Sequence, residues 1–345
     1  MTRAGHVSVC PISMVDSEGF GSDVTLPLKI SESLFFDDVS EIIRETNFDW
    51  LEPVFPNKSE RDALKRVRYG LVRQIECADG EPNLEDEKSA RMLYCLYLGL
   101  KVIRPTPSRF QIFHYDLAQS DRGSPRIDRN DYATIVCDCD RLNWIRWMDL
   151  QQLAAVGPVL LSVLANGTLP ISQAVQSLEI GYRADFLHVR HLLWVVGLDA
   201  LFTSREWESQ GAKISAERIL NFLGSDFQIY SEDHSRELGL PRPTSPSFDA
   251  TIRDIYKLRN HFAHGAWPDK RWAGRICRRS TDFCRDIYYS ELLSEAAASI
   301  LRACLKKIWA EEPLVELFND KNKMNAYFAS HGLIRTRKTG CGKEN

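Results

Sequence analysis

The sequence carries no surplus of charge of either sign: 44 Lys and Arg stand against 47 Asp and Glu, a formal net charge of −3 over 345 residues. A chain so balanced has no whole-molecule field to draw it to nucleic acid, so RNA binding would have to come from a local patch. Long apolar runs are missing as well. The least polar stretch, LAAVGPVLLSVLA from Leu153 to Ala165, reads as too short to cross a bilayer and contains Pro158. The opening stretch, MTRAGHVSVCPISMVDSEGF, lacks the apolar core of a signal peptide. These absences lead to the expectation of a cytoplasmic protein with no membrane partner. Paired cysteines are missing too. The nine cysteines are an odd, scattered set; Cys137 and Cys139 form a Cys-x-Cys, and Cys277 and Cys284 are too far apart for a zinc knuckle. No His or Cys pair completes a four-ligand set at familiar spacing, so reduced and mostly buried thiols are expected, with neither a metal nor a cofactor.

The chain is long enough for a substantial core, and its length favours two domains. Residues 1–25 read as an irregular start, and 26–166 as an α+β domain of unassigned role. LFFDDVSEIIRET has helical spacing through Phe36, Val39 and Ile43. Ser59 caps a second expected helix through ERDALKRVRYGLVRQIE, with a basic side of Lys65, Arg66, Arg68 and Arg73. A third helix is expected from Glu85 to Leu100. RFQIFHYDL and YATIVCDC read as strands, and AQSDRGSPRIDRND between them as a loop. His114 is therefore expected to be a packed strand histidine.

A hinge at Asn166–Pro170 opens a helical half, 167–312, followed by a C-terminal helix and loose tail over 313–345. Ala184 to Trp207 reads as one long helix with Arg183 and His188 at its opening, and Ser215 as the cap of a short helix ending at Gly224. Asp199 stands amid apolar neighbours and calls for a partner, since a lone buried carboxylate is costly; Arg259 is the partner expected, with a surface position as the competing reading. A polar loop from Ser225 to Ser247, with Pro241, Pro243 and Pro246, leads into the stretch DIYKLRNHFAHG, Asp254 to Gly265.

In that stretch Ile255, Leu258 and Phe262 make one apolar helical stripe, which leaves Arg259, Asn260, His261 and His264 on other faces, and Gly265 ends the helix. A permanent cation, an amide and an imidazole are thereby gathered beside freed backbone carbonyls, a grouping suited to a phosphate. Asn260 and His264, four apart, share a face. Arg259 and His264 lie about 140° apart on an ideal helix and meet only if the arginine reaches round or the last turn tightens. The spacing Arg-x-x-x-x-His occurs three times, at Arg109–His114, Arg183–His188 and Arg259–His264. Only the third has a polar residue after the arginine, a helical stripe around it and a glycine behind it. Downstream, Lys270, Arg271, Arg275, Arg278 and Arg279 are interleaved with Trp267 and Trp272, a pattern suited to phosphate contacts beside stacked bases, or to solvated arginines over packed indoles.

DIYKLRNHFAHG resembles the signature helix of the HEPN superfamily, whose hallmark is Arg-polar-x-x-x-His. Upstream, HLLWVVGLDALFTSREWES followed by KISAERILNFLG resembles the Apea-like branch, with Asp199 where the branch usually has glutamate. The resemblance spans roughly Ile171 to Trp309. It implies a mainly α fold, a C-terminal HEPN-type helical bundle preceded by the α+β N-terminal domain. It further implies a metal-independent endoribonuclease of a toxin or antiviral system, with RNA as substrate, a homodimer, and an antitoxin or regulatory protein as a further partner. Arg259, Asn260 and His264 would be catalytic, Asp199 and His261 supporting, and Lys270, Arg271, Arg275, Arg278 and Arg279 RNA-binding. Other members are catalytically silent modules that bind RNA or a protein, and that alternative stays open. So does a structural reading in which Arg259 pairs with Asp199 and His264 caps the helix end.

Overall fold

The computed structural model describes residues 5–333 except 19, 21–23, 49–51, 54, 56, 76–81, 107–109, 117–124, 130–143, 166, 168, 204–210, 230–247 and 266–282. The described residues are mostly helical with one antiparallel sheet, and the chain divides into two compact units, Met1–Gly167 and Thr168–Asn345.

Among its described residues unit 1 has six strands, β1 (His6–Ile12), β2 (Leu28–Lys29), β3 (Leu34–Asp38), β4 (Tyr69–Ile75), β5 (Gln111–Asp116) and β6 (Arg126–Arg129). They lie in the order β2-β3-β4-β1-β5-β6, every neighbouring pair antiparallel. Among the described residues, four helices accompany the sheet: α1 (Ser40–Glu45), α2 (Lys58–Leu64), α3 (Pro82–Ile103) and α4 (Trp147–Leu164). On one face Val7, Val9, Val72, Phe113 and Tyr115 form a core with Val39, Ile43, Phe48, Phe55 and Leu64. The other face is polar at one end, and there Arg73, Ser8 and His114 are nonetheless buried. Register places Arg73, Ser8, His114 and Arg126 side by side across β4, β1, β5 and β6, and cross-strand partners share a face. Arg73 is only 4% exposed and donates to Ser89 Oγ (2.6 Å) and Glu85 Oε2 (3.0 Å), both from α3.

Several expectations are corrected here. The supposed irregular start contains β1, a central strand whose residues are all buried; His6 and Ser8 disguised it, because the polar face is covered too. LFFDDVSEIIRET splits into β3 and α1. Leu34 and Phe36 alternate inward against β4, and a window this short satisfies both the strand and the helix period. The expected helix after Ser59 is capped by the Asn57 side chain and stops at Leu64; Tyr69–Ile75 is a strand, so no basic helix face includes Arg73. Gly70 in that strand allows close packing, since a Cβ there would lie 2.9 Å from the Cys10 carbonyl oxygen. Within the expected loop, Arg126–Arg129 forms the edge strand β6. YATIVCDC lies outside the described residues. The apolar run belongs to an 18-residue helix, α4, which is long and apolar enough to cross a membrane by length and composition. It packs against α3, and 44% of it is buried.

Unit 2 is a helical bundle of α5 (Pro170–Arg183), α6 (Leu187–Phe202), α7 (Gly211–Leu223), α8 (Phe248–Ala263), α9 (Phe283–Ala310), α10 (Glu312–Asn319) and α11 (Lys321–Ser330). Helix α6 packs against α5, α7, α8 and α9, which is why it is apolar on most sides. The long helix expected from Ala184 to Trp207 is present from Leu187 to Phe202; its expected opening is a break between two helices at Ala184–Phe186, and 204–207 lie outside the described residues. Arg183 closes α5, where Glu179 holds its guanidinium at 2.8 Å, and only His188 lies on α6. Ser215 sits inside α7 rather than capping it. The expected single C-terminal helix is two, because Asp320 caps the second through the Asn322 and Lys323 amides. The tail, 334–345, and the loop over 230–247 lie outside the described residues. Cys10, Cys95 and Cys304 are free and buried, and burial pushes the Cys10 thiol up to about 12, so these are inert packing residues.

Close approach of α5 to α6 depends on Gly181. A Cβ at that position would lie 2.3 Å from Nε1 of Trp194, an indole 1% exposed whose N–H donates to the Leu178 carbonyl at 3.2 Å. Gly181→Ala gains about 1 kcal/mol of helix propensity but displaces a rigid ring, an overpacking cost of about 1–3 kcal/mol plus the indole hydrogen bond. The expected outcome is a net loss of about 1–2 kcal/mol in denaturant unfolding; a stabilised variant would show that the indole moves freely.

Candidate functional site

Three helices meet around the end of α8. Its apolar stripe of Ile252, Ile255, Leu258 and Phe262 is buried, which turns Arg259 and Asn260 outward. The helix ends at Ala263. Gly265, at φ +69°, takes the left-handed conformation expected of it, and its N–H reaches back to the Phe262 carbonyl at 3.1 Å. That bond, three residues back rather than four, tightens the last turn. His264 follows the helix as an exposed residue, its backbone N–H on the Asn260 carbonyl at 3.2 Å.

Arg259 is fixed from two sides. Its Nη2 donates to Asp199 Oδ2 at 3.2 Å, and its Nη1 donates to Asn260 Oδ1 at 3.0 Å. The expected Arg259–Asp199 pair is thus present, and the competing surface reading of Asp199 is excluded, its side chain being 21% exposed. Asp199 is held in turn by residues that sequence reasoning did not pick out. Its Oδ1 accepts from Tyr256 (3.0 Å), Thr203 (3.0 Å) and Ser215 (3.2 Å), drawn from α8, the end of α6 and α7. Burial first, and then the Asp199 charge, hold the Tyr256 phenol well above its ordinary pKa, so it stays a neutral donor. The carboxylate therefore has a full set of donors, and the guanidinium has one edge anchored while its side chain remains 35% exposed. Tyr256 lies three residues before Arg259 on the same helix face, a spacing that could have signalled its role.

Asp199, Arg259 and Asn260 are brought together; His264 is placed one turn beyond. Among the described residues no hydrogen bond joins the His264 imidazole to either Arg259 or Asn260. His261 is half-buried on α8. Lys270, Arg271, Arg275, Arg278 and Arg279, with Trp267 and Trp272, lie outside the described residues. Of the other two Arg-x-x-x-x-His pairs, Arg183 and His188 fall on different helices, and His188 stacks edge-on with Phe262, ring centroids 6.1 Å apart. Arg109 lies outside the described residues, and His114 is a buried strand residue, as expected.

A second histidine supports the motif helix from beneath. His191 on α6 is fully buried; its Nε2 donates to the Ile255 carbonyl at 3.0 Å and its Nδ1 meets Ser294 Oγ of α9 at 3.0 Å. It thereby ties three helices one turn before Arg259. Burial, only partly opposed by the Ile255 bond, lowers its pKa to about 4. The unfolded chain, with a value near 6.5, takes up this proton first as pH falls. The contribution is thus fully present above about pH 6.5 and is lost progressively down to about pH 4, an effect on the order of 3 kcal/mol. Unfolding free energies measured across that window should show this slope, and His191→Gln should flatten it; an unchanged slope would assign the acid sensitivity elsewhere.

A clamped guanidinium beside an amide, with an exposed imidazole one turn on, can bind a phosphodiester and supply a proton-transfer group. No family model, curated protein or solved structure matches the chain.

Proposed function

We propose that unit 2 is an endoribonuclease of HEPN type that cleaves RNA by attack of the substrate's own 2′-hydroxyl. The observation that carries this reading is the Arg259 guanidinium, held by Asp199 and Asn260 at the exposed end of a helix that finishes in an exposed histidine. Arg259 binds the non-bridging phosphate oxygens and offsets the charge that develops on them. The His264 imidazole takes the 2′-hydroxyl proton as O2′ bonds to phosphorus. The P–O5′ bond then breaks, and the departing O5′ receives a proton. One histidine cannot be base and acid at the same instant, so the acid is assigned to His264 of a second copy, in a homodimer whose two sites share a groove. The run holding Lys270, Arg271, Arg275, Arg278 and Arg279 would bind the RNA backbone. A cytoplasmic site of action, a toxin or antiviral role and restraint by an antitoxin or regulatory protein belong to the same reading.

The test is incubation of purified protein with mixed RNAs in excess chelator. Cleavage normalised to folded protein should persist and leave 2′,3′-cyclic phosphate and 5′-hydroxyl ends. Activity lost in chelator and restored by magnesium or manganese would overturn the mechanism. That no hydrogen bond joins the His264 imidazole to Arg259 or Asn260 among the described residues favours one alternative, a silent module; RNA binding with no cleavage under any condition would establish it.

A further inference from the structure

The polar end of the sheet in unit 1 brings together four donor atoms from three elements remote in sequence. His6 and Ser8 come from β1, His114 from β5 and Asp86 from the first turns of α3. Asp86 Oδ1 lies 2.8 Å from His6 Nε2 and 3.4 Å from His114 Nδ1. Ser8 Oγ closes the ring, 2.8 Å from His114 Nδ1 and 3.3 Å from His6 Nε2. The ligand atoms of His6, Asp86 and His114 all lie within 4.8 Å of one another. None of the four residues is more than 8% exposed.

We infer that this cluster is a binding site for a divalent transition-metal ion of the zinc class, held by His6 Nε2, His114 Nδ1 and Asp86 Oδ1, with Ser8 Oγ or a water as fourth ligand. A zinc ion bonded at about 2.0–2.1 Å to each of four tetrahedral donors sets those donors roughly 3.3 Å apart. The separations of 2.8 to 3.4 Å around this ring bracket that value. The donor set also selects among ions. Two imidazoles and one carboxylate suit zinc, cobalt, nickel or iron, whereas magnesium and calcium need a shell of oxygens. The carboxylate is oriented by a further group: Arg126 Nε donates to Asp86 Oδ2 at 2.5 Å, and Nη2 donates to Oδ1 at 3.1 Å. The closer Arg126 contact is to Oδ2, while Oδ1 is the oxygen facing both imidazoles. Such outer contacts commonly fix a metal ligand. With its side chain 42% exposed, Arg126 can swing its Nη2 away from Oδ1 as a cation enters. Because the ligands come from β1, β5 and α3, a bound ion would pin the central strands to the helix that covers them. Its role is structural and lies in unit 1, independent of the chemistry proposed for unit 2.

The competing account is a cluster joined by protons alone, and the two differ in what the protein takes up. The full-length chain, dialysed against chelator and then freed of it, is titrated with cobalt(II) and back-titrated with zinc. Expected are one equivalent of cobalt per chain with visible d–d bands of nitrogen and oxygen ligation, no thiolate-to-cobalt charge-transfer band, and displacement by zinc but not by magnesium or calcium. Zinc should also raise the melting temperature. His6→Gln and Asp86→Asn should each weaken binding at least tenfold, since each removes a direct ligand. Absence of saturable uptake by the parent, or a spectrum with thiolate bands, would overturn the proposal whether or not the variants fold. Binding by a folded His6→Gln, Asp86→Asn double variant as tight as that of the parent would do the same.

Discussion

His264→Ala is expected to lower RNA cleavage per folded molecule by at least about a hundredfold, the lower end of what a positioned proton-transfer group contributes. Its stability should barely change, because the residue is exposed beyond the end of α8 and only its backbone N–H is engaged, on Asn260. Arg259→Ala should remove cleavage as well, and it differs in leaving Asp199 without its cationic partner. The chain supplies its own controls. His188→Ala should cut RNA almost as the parent does, since the ring packs edge-on against Phe262 and its arginine counterpart is engaged by Glu179 on another helix. His114→Ala should destabilise unit 1 while leaving cleavage per folded molecule nearly unchanged. Parent-like cleavage by His264→Ala would mean that the site is wrongly assigned. A folded but inactive His188→Ala would move the chemistry to the start of α6.

Asp199→Ala should be the most destabilising single change among Asp199, Tyr256, Arg259, Asn260 and His264, at about 2–3 kcal/mol. The carboxylate is the acceptor for Tyr256, Thr203 and Ser215 and the counter-charge of Arg259; its removal takes away the acceptor these groups share, and Thr203 and Ser215 keep their bond to each other at 2.6 Å. Asp199→Asn keeps one acceptor oxygen and should lose less stability, yet still loosen Arg259 and weaken RNA binding. Denaturant unfolding of both variants, with Tyr256→Phe as the single-bond reference, gives the comparison. If Asp199→Ala loses no more than Tyr256→Phe, the carboxylate is not the hub that the contacts make it.

In unit 2 much could be read locally. The stripe of Ile255, Leu258 and Phe262 placed a helix, Gly265 placed its end, and an acid amid apolar neighbours at Asp199 asked for a cation that Arg259 provides. The first two inferences concern residues within a few turns, where helical periodicity acts directly; the third spans two helices and 60 positions, and followed from the cost of burying a lone charge. Ser215 went wrong because a serine's side-chain bond can serve a cap or a buried network equally well, and only the partner decides which. In unit 1 the errors at β1 and β4 share one origin. His6, Ser8 and Arg73 look like surface residues in a sequence, yet they occupy a sheet face that α3 covers, and their burial is made tolerable by partners far along the chain.

The sequence by itself determined the helical half and the end of the motif helix, because helix periodicity and glycine conformation are local properties. Tertiary structure alone decided that His6, Asp86 and His114 converge, that Tyr256, Thr203 and Ser215 hold Asp199, and that the first strand lies at the centre of a sheet. Those juxtapositions arise from strand register and helix packing, which join residues up to about a hundred positions apart and leave no spacing rule in the chain.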